Sequence, residues 1–148
     1  MMQQLKLIVS TFFLFLCFSC FSQTLKDSNG DVLAIIDSAG KIVDLNNHCI
    51  GQFTVNGVVL DCDSILIGSI EENSFKNSNT IVIGSINQED EIIDINNDKI
   101  GQLTVDTNLI IKDVNNHIIG QTESTANKKW VAAYYFSFLT STKDKCRI

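Results

Sequence analysis

The chain has 148 residues, enough for one modest domain once a targeting segment is set aside. Its 45% hydrophobic content supports a buried core and excludes a disordered chain. A formal net charge of −6, which becomes more negative if Lys6 is removed with a leader, repels phosphate backbones and argues against nucleic acid as a partner.

Residues 1–22 read as a signal peptide. Lys6 precedes an apolar run from Leu7 to Phe18, which falls short of the roughly 20 residues that a membrane-spanning helix needs. Cys20-Phe21-Ser22 then places small residues at the two positions that a signal peptidase reads, so cleavage is expected before Gln23. Export, to the periplasm or outside the cell, follows from that reading. The rival is a lipoprotein anchored through Cys20, but Cys17-Phe18-Ser19 lacks the aliphatic residue expected three places before a lipidated cysteine. No second long apolar run follows, so no transmembrane segment is expected in the mature chain. Cleavage removes Cys17 and Cys20 and leaves Cys49, Cys62 and Cys146, which permit at most one internal disulfide. Cys49 and Cys62 fall on neighbouring expected strands; a bond between them and a role as small apolar fillers both stay open.

Residues 23–124 hold six copies of a hairpin about 17 residues long. The copies align on Asp27, Asp44, Asp61, Asn77, Asp94 and Asp113. Two places before stand Leu25, Ile42, Val59, Phe75, Ile92 and Ile111; two places after stand Asn29, Asn46, Asp63, Asn79, Asn96 and Asn115. The sixth place after holds Leu33, Ile50, Ile67, Ile83, Ile100 or Ile119, and the seventh Ala34, Gly51, Gly68, Gly84, Gly101 or Gly120. Ile36, Phe53, Ile70, Ile86, Leu103 and Thr122 follow at the ninth.

Each column has a physical reason. Asp or Asn followed two residues later by Asn or Asp is turn chemistry, because these short side chains hydrogen-bond their own backbone. Gly30, Asn47, Asn97 and Asn116 come next, residue types that tolerate a left-handed backbone and so close a type I hairpin turn. Ser64 and Thr80 stand at that place in the third and fourth copies, where a different turn is expected. Apolar columns three apart around the glycine break strict alternation, the mark of a β-bulge with its extra residue at a flexible position. Ile67 and Ile100 are expected to point inward with the rest of the sixth-place column. Asn56-Gly57, Ala39-Gly40 and Glu89-Asp90 supply tight links between copies, while Glu71 to Ser74 reads as a polar insertion before a degenerate fourth copy. The expected fold is all-β: antiparallel hairpins around a pseudo-symmetry axis, closed as a flower or barrel-like ring that leaves no unpaired edge.

Residues 125–148 form a C-terminal segment with a polar tail. Trp130 to Leu139 is apolar on every side, with Ser137 its polar interruption, so packing against the ring is expected. A short helix starting near Asn127 and a final strand are both compatible with its composition. Lys128, Lys129, Lys143, Lys145 and Arg147 crowd here and read as solvated.

The repeated Asp-x-Asn-Gly/Asn…Ile-Gly-x-Ile unit, the leader and the Ala-Ala-aromatic tail resemble the 5-fold β-flower proteins, small exported bacterial proteins with hairpin petals around a central axis. The resemblance covers roughly Thr24 to Leu139. It implies a fold and an exported location, but no activity and no catalytic residues. Six cores stand against the five petals of the family's name, as if the first and last copies shared one.

Chemistry along the chain is sparse. Asp27-Ser28-Asn29-Gly30-Asp31 and Asp94-Ile95-Asn96-Asn97-Asp98 begin like calcium loops, yet the twelfth positions are Ser38 and Val105 in place of the bidentate glutamate. Turn capping accounts for these residues in every copy. His48 and His117 share a repeat position and would make a metal pair only by meeting across the ring; as residues just past a turn they are expected to be exposed. No serine, cysteine or lysine nucleophile has a base beside it. No catalytic, cofactor-binding or metal residues are therefore assigned, and no cofactor. The expected function is a non-enzymatic structural or protein-interaction module at the envelope or outside the cell, its partner an unnamed protein or glycan. A carbohydrate-binding module is the first alternative, although Phe53 and Phe75 are expected to face inward and offer no platform; a metal-binding or catalytic protein is the second. Intact mass of exported material is expected to start at Gln23, and a diacylated Cys20 would contradict that.

Overall fold

Every hairpin is closed by the same device. The Asp27 Oδ1 atom accepts the amides of Asn29 at 2.8 Å and Asp31 at 2.9 Å, while the Asp27 carbonyl accepts the Gly30 amide at 3.2 Å. Asp44, Asp61, Asp94 and Asp113 repeat the pair of side-chain bonds, and Asn77 does so with the amides of Asn79 and Ile81. Ser64 and Thr80 do not turn differently, contrary to expectation. They take φ of 63° and 62°, like Asn47, Asn97 and Asn116. The capped amides on either side fix the loop, and a non-glycine residue follows it at a cost of about 1–2 kcal/mol.

The computed structural model describes residues 22–137. Residues 1–21, with Cys20, lie outside the described residues, as do Phe138, Leu139 and the polar tail with Cys146. Twelve strands follow the turns: β1 (Gln23–Asp27), β2 (Val32–Ile36), β3 (Lys41–Val43), β4 (Cys49–Phe53), β5 (Val58–Leu60), β6 (Leu66–Glu71), β7 (Ser74–Asn77), β8 (Val82–Ile86), β9 (Glu91–Asp94), β10 (Lys99–Val105), β11 (Asn108–Asp113) and β12 (Ile118–Glu123). Each pairs antiparallel with its chain neighbours, and β1 pairs with β12 to close a barrel. At that seam Glu123 Oε2 accepts the Thr24 amide at 2.9 Å. The links at the opposite rim are equally tight: Gly40 and Gly57 take φ of 83° and 80°, and Glu72 takes 51° in the two-residue turn between β6 and β7. The segment read as an insertion is therefore one of the regular links.

The bulge is present in every hairpin, but the extra residue is not the glycine. Ile42 pairs with Gly51 and Val43 with Cys49, skipping Ile50; Ile92 pairs with Gly101 and Ile93 with Lys99, skipping Ile100. Leu33, Ile67, Ile83 and Ile119 are skipped in the same way. The sixth-place residues are half-buried against the core, whereas the column two places before the aspartate is buried in all six copies. Phe53 and Phe75 are fully buried, as expected. The seventh-place glycines Gly84, Gly101 and Gly120 are not left-handed. What they supply is space.

At Gly101 and Gly120 that space is filled by the chain's own continuation. Asn127 caps a short helix α1 (Lys128–Ala132), its Oδ1 accepting the amides of Lys129 and Trp130, and a single π-helical turn (Ala133–Ser137) follows. Val131, Ala132, Ala133 and Tyr134 are buried. A Cβ on Gly101 would lie 2.3 Å from the Phe136 ring, and one on Gly120 would lie 2.4 Å from the Tyr135 hydroxyl. The Tyr135 hydroxyl donates to the Lys26 carbonyl at 2.6 Å, and burial, then the neighbouring Tyr134 and Asp27, push its ionisation upward. Trp130 stacks on Phe53 with centroids 5.6 Å apart. Replacing Ile92 with Asp is expected to unfold the domain, because a buried unpaired carboxylate costs several kcal/mol. The same change at half-buried Ile100 should lower the melting temperature by a smaller amount. Thermal unfolding checks the order of the two, and equal losses would contradict the register.

Candidate functional site

In an up-and-down barrel all six repeat turns gather at one rim. Their second positions carry Leu45, Ile95 and Val114, and the positions just past the turns carry Ile65, Leu66, Ile81, Val82 and Ile118. All eight are exposed, from 44% at Val82 to 68% at Ile95. A soluble surface disperses such side chains, and their concentration at one end of a barrel marks a contact face. Among them stand Asp27, Asp31, Asp44, Asp61, Asp63, Asp94, Asp98 and Asp113, and the six turns contain no lysine or arginine. Lys26, Lys76, Lys99 and Lys112 flank the rim on the strand ends, with Lys76 paired to Glu71 and Lys99 held by Glu91 at 2.9 Å.

Where the turn carboxylates titrate abnormally, the cause is backbone capping. The His48 amide holds the Asp44 carboxyl below its usual 3.8, and the Asp98 amide does the same for Asp94. At Asp113 desolvation pushes upward, but the His117 and Asn115 amides and the His117 side chain together hold the carboxyl below its usual 3.8. The residues that resembled calcium-loop starts are engaged in this way: one oxygen of Asp27 and of Asp94 is already shared between two amides. His48 and His117 do not meet across the ring. Each is exposed and places Nδ1 near its own turn aspartate, at 3.2 Å from Asp44 Oδ2 and 3.3 Å from Asp113 Oδ2. Among the described residues no three His, Cys, Asp or Glu side chains converge on a common point. Cys49 is half-buried, with its Sγ 4.0 Å from the Gly51 carbonyl, and no disulfide joins it to Cys62. Cys62 is exposed on its turn, so it is not the apolar filler considered from sequence.

The opposite rim exposes fewer aliphatic side chains, Val55 and Val105. There an open groove of about 470 Å³ is lined by Trp130, Lys129, Asn127, Asn56 and Glu72. Lys128 reaches from α1 to Asp90 on the same rim. Sequence reasoning missed both surfaces. The rim aliphatics were legible as apolar residues inside turns, where polar ones are expected; the groove depends on where α1 enters the barrel and had no local signal.

The family model described as "5-fold beta-flower protein" matches residues 22–139, which span the whole barrel and the segment inside it. The chain belongs to the 5-fold β-flower family. It has no match among curated proteins and none among solved structures. In this β-flower protein the petal count depends on the rim. The repeat turns close six hairpins, while five links join β2 to β3, β4 to β5, β6 to β7, β8 to β9 and β10 to β11, the sixth pair there being β1 with β12. The first and last copies thus share a pair without sharing a hairpin. Among the described residues no helix is long and apolar enough to cross a membrane.

A carboxylate with a depressed folded value contributes stability that is fully present above its unfolded value, near 3.8, and lost as pH falls through the lower folded one. The melting temperature of this β-flower protein should therefore fall below about pH 4. Asn77 shows that an amide caps the same turn without titrating. The triple variant Asp44→Asn, Asp94→Asn, Asp113→Asn should fold and show a flatter acid limb. An acid limb as steep as the parent's would contradict the assignment.

Proposed function

We propose that this β-flower protein is an exported, non-enzymatic module that makes protein contacts at the cell envelope or outside the cell. The observation that carries the reading is the turn rim, where eight exposed aliphatic side chains are gathered on one end of a closed barrel. Leaving a face of this kind in water costs free energy, and burial against a partner is favourable. The leader supports export. The non-enzymatic reading is supported by what the chemical side chains do: the turn aspartates cap backbone amides, and the histidines sit beside them in solvent.

A second reading, a carbohydrate-binding module, is favoured by the groove, where an indole held against Phe53 lies beside Asn56, Glu72 and Lys129. The two readings use opposite rims and separate cleanly. Crosslinking in producing cells should recover envelope or extracellular proteins with the parent and lose them with Leu45→Ser/Ile95→Ser. Equal recovery by both would contradict the rim reading. Retention on a polysaccharide that Asn56→Ala abolishes would establish the second.

A further inference from the structure

Resting on the rim reading, we infer that the turn rim is built for a cationic protein segment carrying aliphatic side chains, and not for a neutral apolar surface or a second copy of this chain. The argument is one of charge complementarity. Eight aspartates stand on the six turns with no lysine or arginine among them. Asp27, Asp44, Asp61, Asp94 and Asp113 each use Oδ1 for the backbone, and Asp31 and Asp98 contribute their amides to the turns. The aliphatic side chains are interleaved with these carboxylates in the same turns: Leu45 beside Asp44, Ile65 and Leu66 beyond Asp63, Ile95 between Asp94 and Asn96, Val114 beside Asp113. A neutral apolar partner would strip water from that ring of carboxylates without replacing it, whereas lysine or arginine side chains compensate each one and bury their own methylenes on the aliphatics. A second copy would set aspartate against aspartate. Like charges in register across an interface disfavour it.

The test uses three synthetic peptides of one length, titrated against the full mature chain: leucine alternating with lysine, leucine with glutamate, and serine with lysine. The leucine–lysine peptide is expected to bind at least about tenfold tighter than either control and to weaken as salt rises through the range where surface charges are screened. Leu45→Ser/Ile95→Ser should abolish that preference. Asp31→Asn/Asp98→Asn, which leaves the turn amides in place, should narrow the gap between the leucine–lysine and leucine–glutamate peptides. Equal binding of those two peptides to the parent would overturn the cationic assignment. Binding that ignores the Leu45/Ile95 change would place the site elsewhere and also overturn it. So would a dimer in sedimentation that the same change dissolves. Binding seen only in Lys143→Glu/Lys145→Glu/Arg147→Glu would assign the rim to the chain's own residues. If no peptide binds while crosslinking in cells still depends on Leu45 and Ile95, the chemistry fails and the interaction face stands.

Discussion

A ring of twelve strands encloses more space than its own inward side chains fill, and the fold depends on how that space is occupied. Eight strands make an interior that side chains can just close; larger rings need a filler or hold a cavity. Here each copy presents two buried residues, apolar except for Thr122, and one glycine or alanine to the inside, so the wall is thin where the axis must be filled. The filler is the segment beginning at Lys128. Its two alanines, Ala132 and Ala133, are fully buried, and Tyr135 and Phe136 reach the glycines of two different copies. Added methyl groups at Gly101 and Gly120 would collide with the rings, which explains the small residue at the seventh place in those two copies without any appeal to backbone freedom; at Gly84 the obstacle is the Ile93 carbonyl, 2.8 Å from an added Cβ.

The rims follow from the same repetition. One side-chain oxygen, a carboxylate in five turns and the Asn77 carboxamide in the sixth, is shared between two amides and closes each turn within five residues, which lets β-strands only three to seven residues long alternate without loops. Because every repeat turn falls at one end, anything placed in a turn is displayed six times around a circle. A single exposed leucine would be unremarkable; the same choice made in most copies becomes a face. The opposite end carries α1, the groove and the links, and is tied to the filler through Trp130 and Lys128.

Much of this was legible in the sequence, and the failures share a cause. The aspartate column gave the turns because capping is local chemistry, settled within five residues. The alternating apolar columns gave an all-β ring because strand faces have a fixed period. Ser64 and Thr80 misled because residue preference was weighed without the two capped amides that override it. The glycine column was assigned to the bulge when the skipped residue is its neighbour, since spacing alone shows that one residue is extra and not which one. The purpose of those glycines, the groove at Trp130 and the entry of α1 into the barrel all depend on contacts between different elements, such as Gly120 with Tyr135 and Gly101 with Phe136, and no local pattern encodes them.

The central claim, that the rings of the C-terminal segment occupy the space left by Gly101 and Gly120, is tested most directly by proton resonance in the folded protein. Gly101 and Gly120 α-protons lying against the Phe136 and Tyr135 rings should be shifted upfield by the ring currents and should show cross-relaxation with those ring protons. Glycine α-protons at ordinary strand positions, with no cross-relaxation to either ring, would contradict it.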